Sequence, residues 1–164
     1  MLKYKISDLG NIISGGTPST SNLNYWDGNI PWITPKDLST NKSKYISNGE
    51  RYITLEGLNH SSAKLLPKNS VLLSSRAPIG YLALAKNELC TNQGFKSIVC
   101  NNKILPEYLY YLLQTKVKDL ISISAGSTFL ELSKSAFENY KVYIHEMPIQ
   151  KHIVDIISFA LKCR

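Results

Sequence analysis

Apolar and polar positions follow more than one period along this chain. From Val71 to Ser75 and from Ile79 to Ala85 the apolar residues run nearly unbroken, the pattern of buried strands. Arg76-Ala77-Pro78 separates them as a turn, and Gly80 marks a bulge or a close approach. Phe95 to Val99 predicts another strand. In 107–122, EYLYYLLQTKVKDLIS, the positions Leu109, Leu112, Leu113, Lys116/Val117, Leu120 and Ile121 recur at helical spacing, with Pro106 just before the start. A last helix is predicted from near Pro148. Its Ile149, Ile153, Ile156 and Ala160 step by four, three and four, with Ile157 and Leu161 alongside. That seam is heptad-like, but about two heptads are too few to establish a coiled coil.

The remaining pattern is weaker. Residues 3–13, KYKISDLGNII, form a short amphipathic segment, and 14–28 read as an ordered surface loop rich in Gly, Ser, Thr, Pro and Asn. Ile30 to Ile33 predicts a short strand, which Pro31 places at a sheet edge. Pro35-Lys36-Asp37-Leu38 reads as one helical turn. Residues 45–53 leave a hairpin and an irregular excursion both open. Thr54 can cap a short helix, LEGLNHSS; 127–133 read as a turn and an extended piece, 134–139 as a helical turn and 142–144 as a strand. Short strands followed by late helices, without βαβ alternation, predict an α+β fold with a mixed or mostly antiparallel sheet, flanking helices and a short C-terminal helix. Trp32, Phe95 and Phe129 are assigned to the core, and Tyr25 and Trp26 to the core or to anchoring a loop.

Composition adds a partner class. The chain of 164 residues is 43% hydrophobic and 19% charged, which argues for a folded domain with a real core. Its net charge of +7 favours a polyanionic partner. Sixteen of the basic residues are lysines and several neighbour a tyrosine (Tyr4-Lys5, Lys44-Tyr45, Tyr140-Lys141). No apolar run approaches the roughly 18 residues of a membrane helix. The start, MLKYKISDLG, is too polar for a signal peptide, so a cytoplasmic protein is expected. Cys90, Cys100 and Cys163 lack CxxC spacing and read as reduced core thiols. The three histidines are scattered, so neither a metal site nor a cofactor is expected.

Possible catalytic motifs lack the context their chemistry needs. Asn29-Ile30-Pro31-Trp32 looks like the Asn-x-Pro-aromatic loop with which adenine methyltransferases hold a flipped base. Only 28 residues precede it, and no glycine-rich strand-to-helix turn for a methyl donor fits there. Gly15-Gly16-Thr17-Pro18-Ser19 is followed by more turn residues rather than Gly-Lys-Ser/Thr, so it reads as a turn in which glycine permits positive φ, not a phosphate cradle. No Gly-x-Ser-x-Gly occurs. The chain is expected not to be an enzyme.

ISGGTPSTSNLNYWDGNIPWITPKDLS (13–39) resembles the opening of a target recognition domain in the specificity subunit of type I restriction-modification enzymes. So do YITLEGLNHSSAKLLPKNSVLLSSRAPIGYLALAKNELCTNQGFKSIV (52–99), PEYLYYLLQTK (106–116), GSTFLELSKSAF (126–137) and MPIQKHIVDII (147–157). Ile149 stands where the family's spacer entry usually has a glutamate. The resemblance implies a non-catalytic reader of double-stranded DNA at 1–147. It also implies the start of a spacer helix at 148–164, about 25 Å long at 1.5 Å per residue. Such subunits direct adenine methyltransferase and restriction (motor-nuclease) subunits to a split site, and usually carry two recognition domains. One is present in this chain, which leaves a half-subunit, a cut piece and a truncated gene product all open.

Arg76, at the tip of the two best strands, can bridge a guanine edge, clamp a phosphate, or simply brace its turn against a carboxylate. Thr17, Ser19, Lys36, Lys44, Tyr45, Arg51, Tyr52, Lys64, Ser75, Asn92, Gln93 and Lys96 are further DNA-facing candidates. Asn92 and Gln93 can instead bond the backbone of their own turn. Ile149, Ile153, Ile156, Ile157 and Ala160 are candidates for a subunit interface, including a homodimer. The rival readings are a remnant or decoy that competes for methyltransferase partners, and a stand-alone adenine methyltransferase built on Asn29 to Trp32.

Overall fold

A computed structural model describes residues 1–163, so Arg164, counted in the expected spacer helix, lies outside the described residues. The strands run β1 (Leu2–Lys5), β2 (Gly10–Ser14), β3 (Trp26–Ile33), β4 (Tyr45–Ile46), β5 (Arg51–Ile53), β6 (Val71–Ser75), β7 (Ile79–Ala85), β8 (Cys90–Thr91), β9 (Lys96–Cys100) and β10 (Lys141–Ile144). The α-helices are α1 (Pro35–Thr40), α2 (Leu55–Asn59), α3 (Pro106–Ser122), α4 (Lys134–Asn139) and α5 (Met147–Lys162).

The strands form a five-stranded sheet in the order β2-β9-β6-β7-β4, a three-stranded sheet β5-β3-β8 and the pair β1-β10. Pairing is antiparallel except for β4 with β7 and β8 with β3. The sheet is therefore mixed, and the fold is the expected α+β type.

β6 is buried at every position because both faces of its sheet are covered. Val71 and Leu73 join Leu84, Ile98, Leu109, Leu113 and Phe137 in a core under α3 and α4. Leu72 points the other way, into a second core with Ile33, Leu38, Ala83, Leu89 and Phe95. Period-two alternation between two packed faces explains why the run reads as continuously apolar. A third cluster, Trp26, Trp32, Ile53, Ala63 and Cys90, belongs to the small sheet.

Local signals set the helix starts. Thr34 and Asp37 form a reciprocal capping box on α1, with Pro35 in the first turn, and Thr54 Oγ1 accepts the Gly57 N–H at 3.0 Å to cap α2. Gly80, at φ +107°, lies directly under Val117 of α3, where a Cβ would collide with the valine methyl. Here glycine both permits the backbone conformation and admits the helix.

Several expectations need correction. Pro31 does not sit on an edge strand: β3 is the middle of its sheet. β8 joins only at Trp32 and Ile33, so at Pro31 the ladder runs on the β5 side alone, opposite Tyr52. Residues 45–53 are not a hairpin, since β4 and β5 belong to different sheets. Phe129 is not in the core; it is 80% exposed on the 125–131 loop. Gly15 and Gly16 do not adopt positive φ; they are required because Cβ atoms there would meet the Thr91 and Asn92 carbonyls and Ser62. Cys163 is exposed, while burial pushes the Cys90 and Cys100 thiols up to about 12. Among the described residues, no helix is long and apolar enough to cross a membrane.

Candidate nucleic-acid interface

Loops distant in sequence converge on Gly94. Its carbonyl accepts the Ser75 N–H at 2.8 Å, and its own N–H donates to Asn92 Oδ1 at 2.9 Å. Asn92 thus bonds its own turn, as Asn in such turns tends to do. The 15–22 loop attaches through Gly16 N–H to the Thr91 carbonyl at 2.9 Å, and the Thr17 hydroxyl donates to Gln93 Oε1. On the other side, residues 125–131 fold back so that Glu131 pairs with both Ala125 and Arg76 as isolated antiparallel bridges. Beside this tip Phe129, Leu130, Ile121 and Pro78 line an open apolar hollow of about 380 Å³.

Two cations share one carboxylate at this junction. Lys96, only 6% exposed, donates to Ser75 Oγ at 3.4 Å and lies 3.6 Å from Glu131 Oε1. Burial holds its ammonium below the ordinary lysine range, opposed by Glu131 and reinforced by Arg76. Arg76 Nη1 stands 3.9 Å from Glu131 Oε2, and its side chain stays 38% exposed. Arg76 therefore does brace its turn against a carboxylate, yet the brace is long and the guanidinium remains open to solvent. The cluster carries an excess positive charge. Glu131 is a member that reading the sequence missed, because nothing local marks it; only the bridge to Arg76, 55 residues away, brings it in.

At the other end of the 15–22 loop stands an aromatic platform. Trp26 Nε1 donates to the Ser19 carbonyl at 3.0 Å and Trp32 Nε1 to the Gly16 carbonyl at 2.9 Å. The two indoles meet edge-to-face at 5.1 Å. Arg51 lies over them, its Cζ 3.5 Å from the Trp26 ring centre and 5.9 Å from that of Trp32. With Trp32 5% exposed and covered in this way, it offers no free face on which a flipped base could stack. The methyltransferase reading of Asn29 to Trp32 thereby loses its aromatic.

The structure thus links Thr17, Ser19, Arg51, Ser75, Arg76, Asn92, Gln93 and Lys96 through one chain of contacts. Other candidates lie elsewhere. Lys44 binds Glu107 Oε1 at 2.8 Å and the Tyr111 hydroxyl at 3.3 Å, and the Tyr45 hydroxyl donates to the same Glu107 carboxylate. Burial would lower the Lys44 ammonium, but Glu107 and Tyr111 hold it above its ordinary value. Lys36 pairs with Glu50 at 3.0 Å, Lys64 is exposed, and Tyr52 is half-buried opposite Pro31. On α5, Ile153 and Ile157 turn toward Tyr108, Tyr111 and Leu112 of α3, leaving Ile149, Ile156 and Ala160 exposed with Phe159 and Leu161.

Residues 1–162 match the family of the type I restriction modification DNA specificity domain, and the chain belongs to that family. It is 46% identical over 157 residues to the type I restriction enzyme MjaIX specificity subunit of Methanocaldococcus jannaschii, a match covering 94% of this chain and 36% of that protein. With the EcoR124I/EcoR124II specificity subunit of Escherichia coli it shares 30% identity over 93% of this chain and 39% of the relative. The chain therefore spans little more than a third of these relatives. The HsdS subunit from Thermoanaerobacter tengcongensis superimposes with a TM-score of 0.75 at 17% identity, over 98% of this chain and 37% of that one. A structure described as the structural basis underlying complex assembly and conformational transition of the type I R-M system gives 0.78 at 19% identity, over 98% and 38%.

Proposed function

We propose that residues 1–147 form a target recognition domain that binds duplex DNA in a sequence-dependent way, and that 148–164 begin a spacer helix. The domain contributes sequence choice and performs no chemistry; an adenine methyltransferase subunit and a restriction subunit act where it binds. The observation that carries this reading is the connected strip from Arg51 through Thr17 and Gln93 to Arg76. Its ends are two guanidiniums, its middle is hydrogen-bonding side chains, and it lies on a chain of net charge +7. Polar donors between cations are what a duplex groove flanked by phosphates requires. Membership of the specificity-domain family supports the same reading.

The exposed row Ile149, Ile156 and Ala160 on α5 supplies an apolar face for a second helix, with Ile153 and Ile157 at its margin against α3. Pairing of two copies through it gives twofold symmetry, and hence an interrupted palindrome as the site.

Selection of binding duplexes from a random pool tests the proposal. A defined site should emerge, with affinity falling steeply as salt rises because phosphate contacts release counterions. Enrichment of no sequence, or affinity insensitive to salt, would remove the DNA-reading assignment. Co-purification with a methyltransferase subunit, and methylation confined to the selected site, tests the partner assignment.

A further inference from the structure

The geometry points to Arg51 as a base-reading residue, one that recognises a guanine edge in the major groove, with Arg76 left to the phosphate backbone. The inference rests on the DNA-binding reading above and assigns the roles within it.

The two arginines are held differently. Arg76 is tied down by charge: its backbone bridges Glu131, and its guanidinium faces that carboxylate at 3.9 Å with Lys96 on the same acid. Part of its donor capacity is already directed inward.

Arg51 is held by stacking. A Cζ only 3.5 Å from the ring centre leaves room for nothing but a face-on stack of guanidinium on indole. The indole beneath cannot swing away, because Trp26 Nε1 is bonded to the Ser19 carbonyl and its ring abuts Trp32, itself bonded to Gly16. Stacking fixes the plane of the guanidinium without using its N–H groups. Among the described residues the Arg51 side chain meets no carboxylate and makes no hydrogen bond, and the residue is exposed. A fork of donors, oriented in advance and left free, matches the O6 and N7 acceptors of guanine. The ordering of a long side chain, a cost usually incurred on binding, is here met in the free protein.

The test compares wild type, Arg51→Lys, Arg51→Ala and Arg76→Ala on the duplex that wild type selects and on every single-base-pair variant of it. Arg51→Lys keeps the charge and loses the fork. Both Arg51 variants should lose about tenfold or more of the discrimination at one G·C pair, while binding of scrambled duplex changes little. Arg76→Ala should weaken matched and scrambled duplexes by similar factors and flatten the salt dependence. Thermal unfolding without DNA checks that Arg51, on a short outer strand, is not merely a lid on Trp26. A shift in melting with discrimination intact overturns the assignment. Equal weakening of matched and scrambled duplexes by Arg51→Ala also overturns it, since it marks a phosphate contact. If wild type binds no duplex at all, the DNA-reading proposal fails and this one with it; if wild type selects a site that Arg51→Lys reads equally well, only this one fails.

Discussion

Gln150 and Leu105 are joined by a hydrogen bond: the Leu105 N–H donates to Gln150 Oε1 at 2.9 Å. The same amide donates through Nε2 to the carbonyls of Lys103 (2.9 Å) and His145 (2.8 Å), and the residue is fully buried. One side chain therefore fixes the entry of α5 to the segment that begins α3. Gln150→Leu removes every one of these partners and leaves backbone groups unpaired. Chemical denaturation should show a loss of about 1–3 kcal/mol or more. A loss well under 1 kcal/mol would mean that water or a shifted helix takes over.

Glu131 neutralises a lysine that has almost no access to water. With the Lys96 side chain 8% exposed, Glu131→Gln leaves its ammonium without a counter-charge, at a cost of about 1–3 kcal/mol in urea unfolding. Adding Lys96→Met should recover most of that loss, since an uncharged pair suits the site better than a lone buried charge. The pairing is wrong if Glu131→Gln costs the same in the Lys96→Met background.

Stability should fall at both extremes of pH for reasons that meet at Glu107. Burial would raise this carboxyl, but Lys44 and Tyr45 overcome it and hold it below its ordinary 4.5. The folded pKa is the lower one, so the unfolded chain binds more protons in that window. The stabilisation is complete above pH 4.5 and is lost as pH falls through the folded value. At the alkaline end burial and Glu107 push the Tyr45 hydroxyl up to about 12 from 10.0. There the folded state keeps the proton longer, so stability declines as pH rises from 10.0 toward about 12. Glu107→Gln should flatten the acid limb of an unfolding-against-pH curve; an unchanged limb would show that other carboxylates govern it.

Gly80→Ala should destabilise the domain by about 1–3 kcal/mol, combining a left-handed backbone with overpacking against Val117. Val117→Ala in the same chain should relieve part of the cost by opening the space. Differential scanning calorimetry of the two single variants and the double variant measures this directly.

Elements governed by their own residues were legible before the structure. The limits of β6 and β7 follow from unbroken apolar runs around Arg76-Ala77-Pro78, and α3 and α5 from helical spacing and proline starts. What stayed hidden depends on partners far along the chain. The parallel pairings of β4 with β7 and β8 with β3 involve two-residue strands that carry no pattern of their own. Phe129 reads as core by its chemistry, yet its loop is folded back by the Glu131 bridges and leaves it outside. Within the site, Thr17, Asn92, Gln93, Arg76 and Lys96 were marked by turn chemistry and charge. The different fates of Arg51 and Lys44, one stacked on Trp26 and the other tied to Glu107 63 residues away, depend on tertiary neighbours alone.

Arg51 and Arg76 belong to different parts of the fold, the first on the strand β5 of the small sheet and the second in the turn just past β6 of the large one. The buried residue of β5, Ile53, packs into the small tryptophan cluster, while the double-sided packing around β6 belongs to the two larger cores. If the chain reads DNA as proposed, a change of target sequence through surface changes at the β5 corner would leave the larger cores in place.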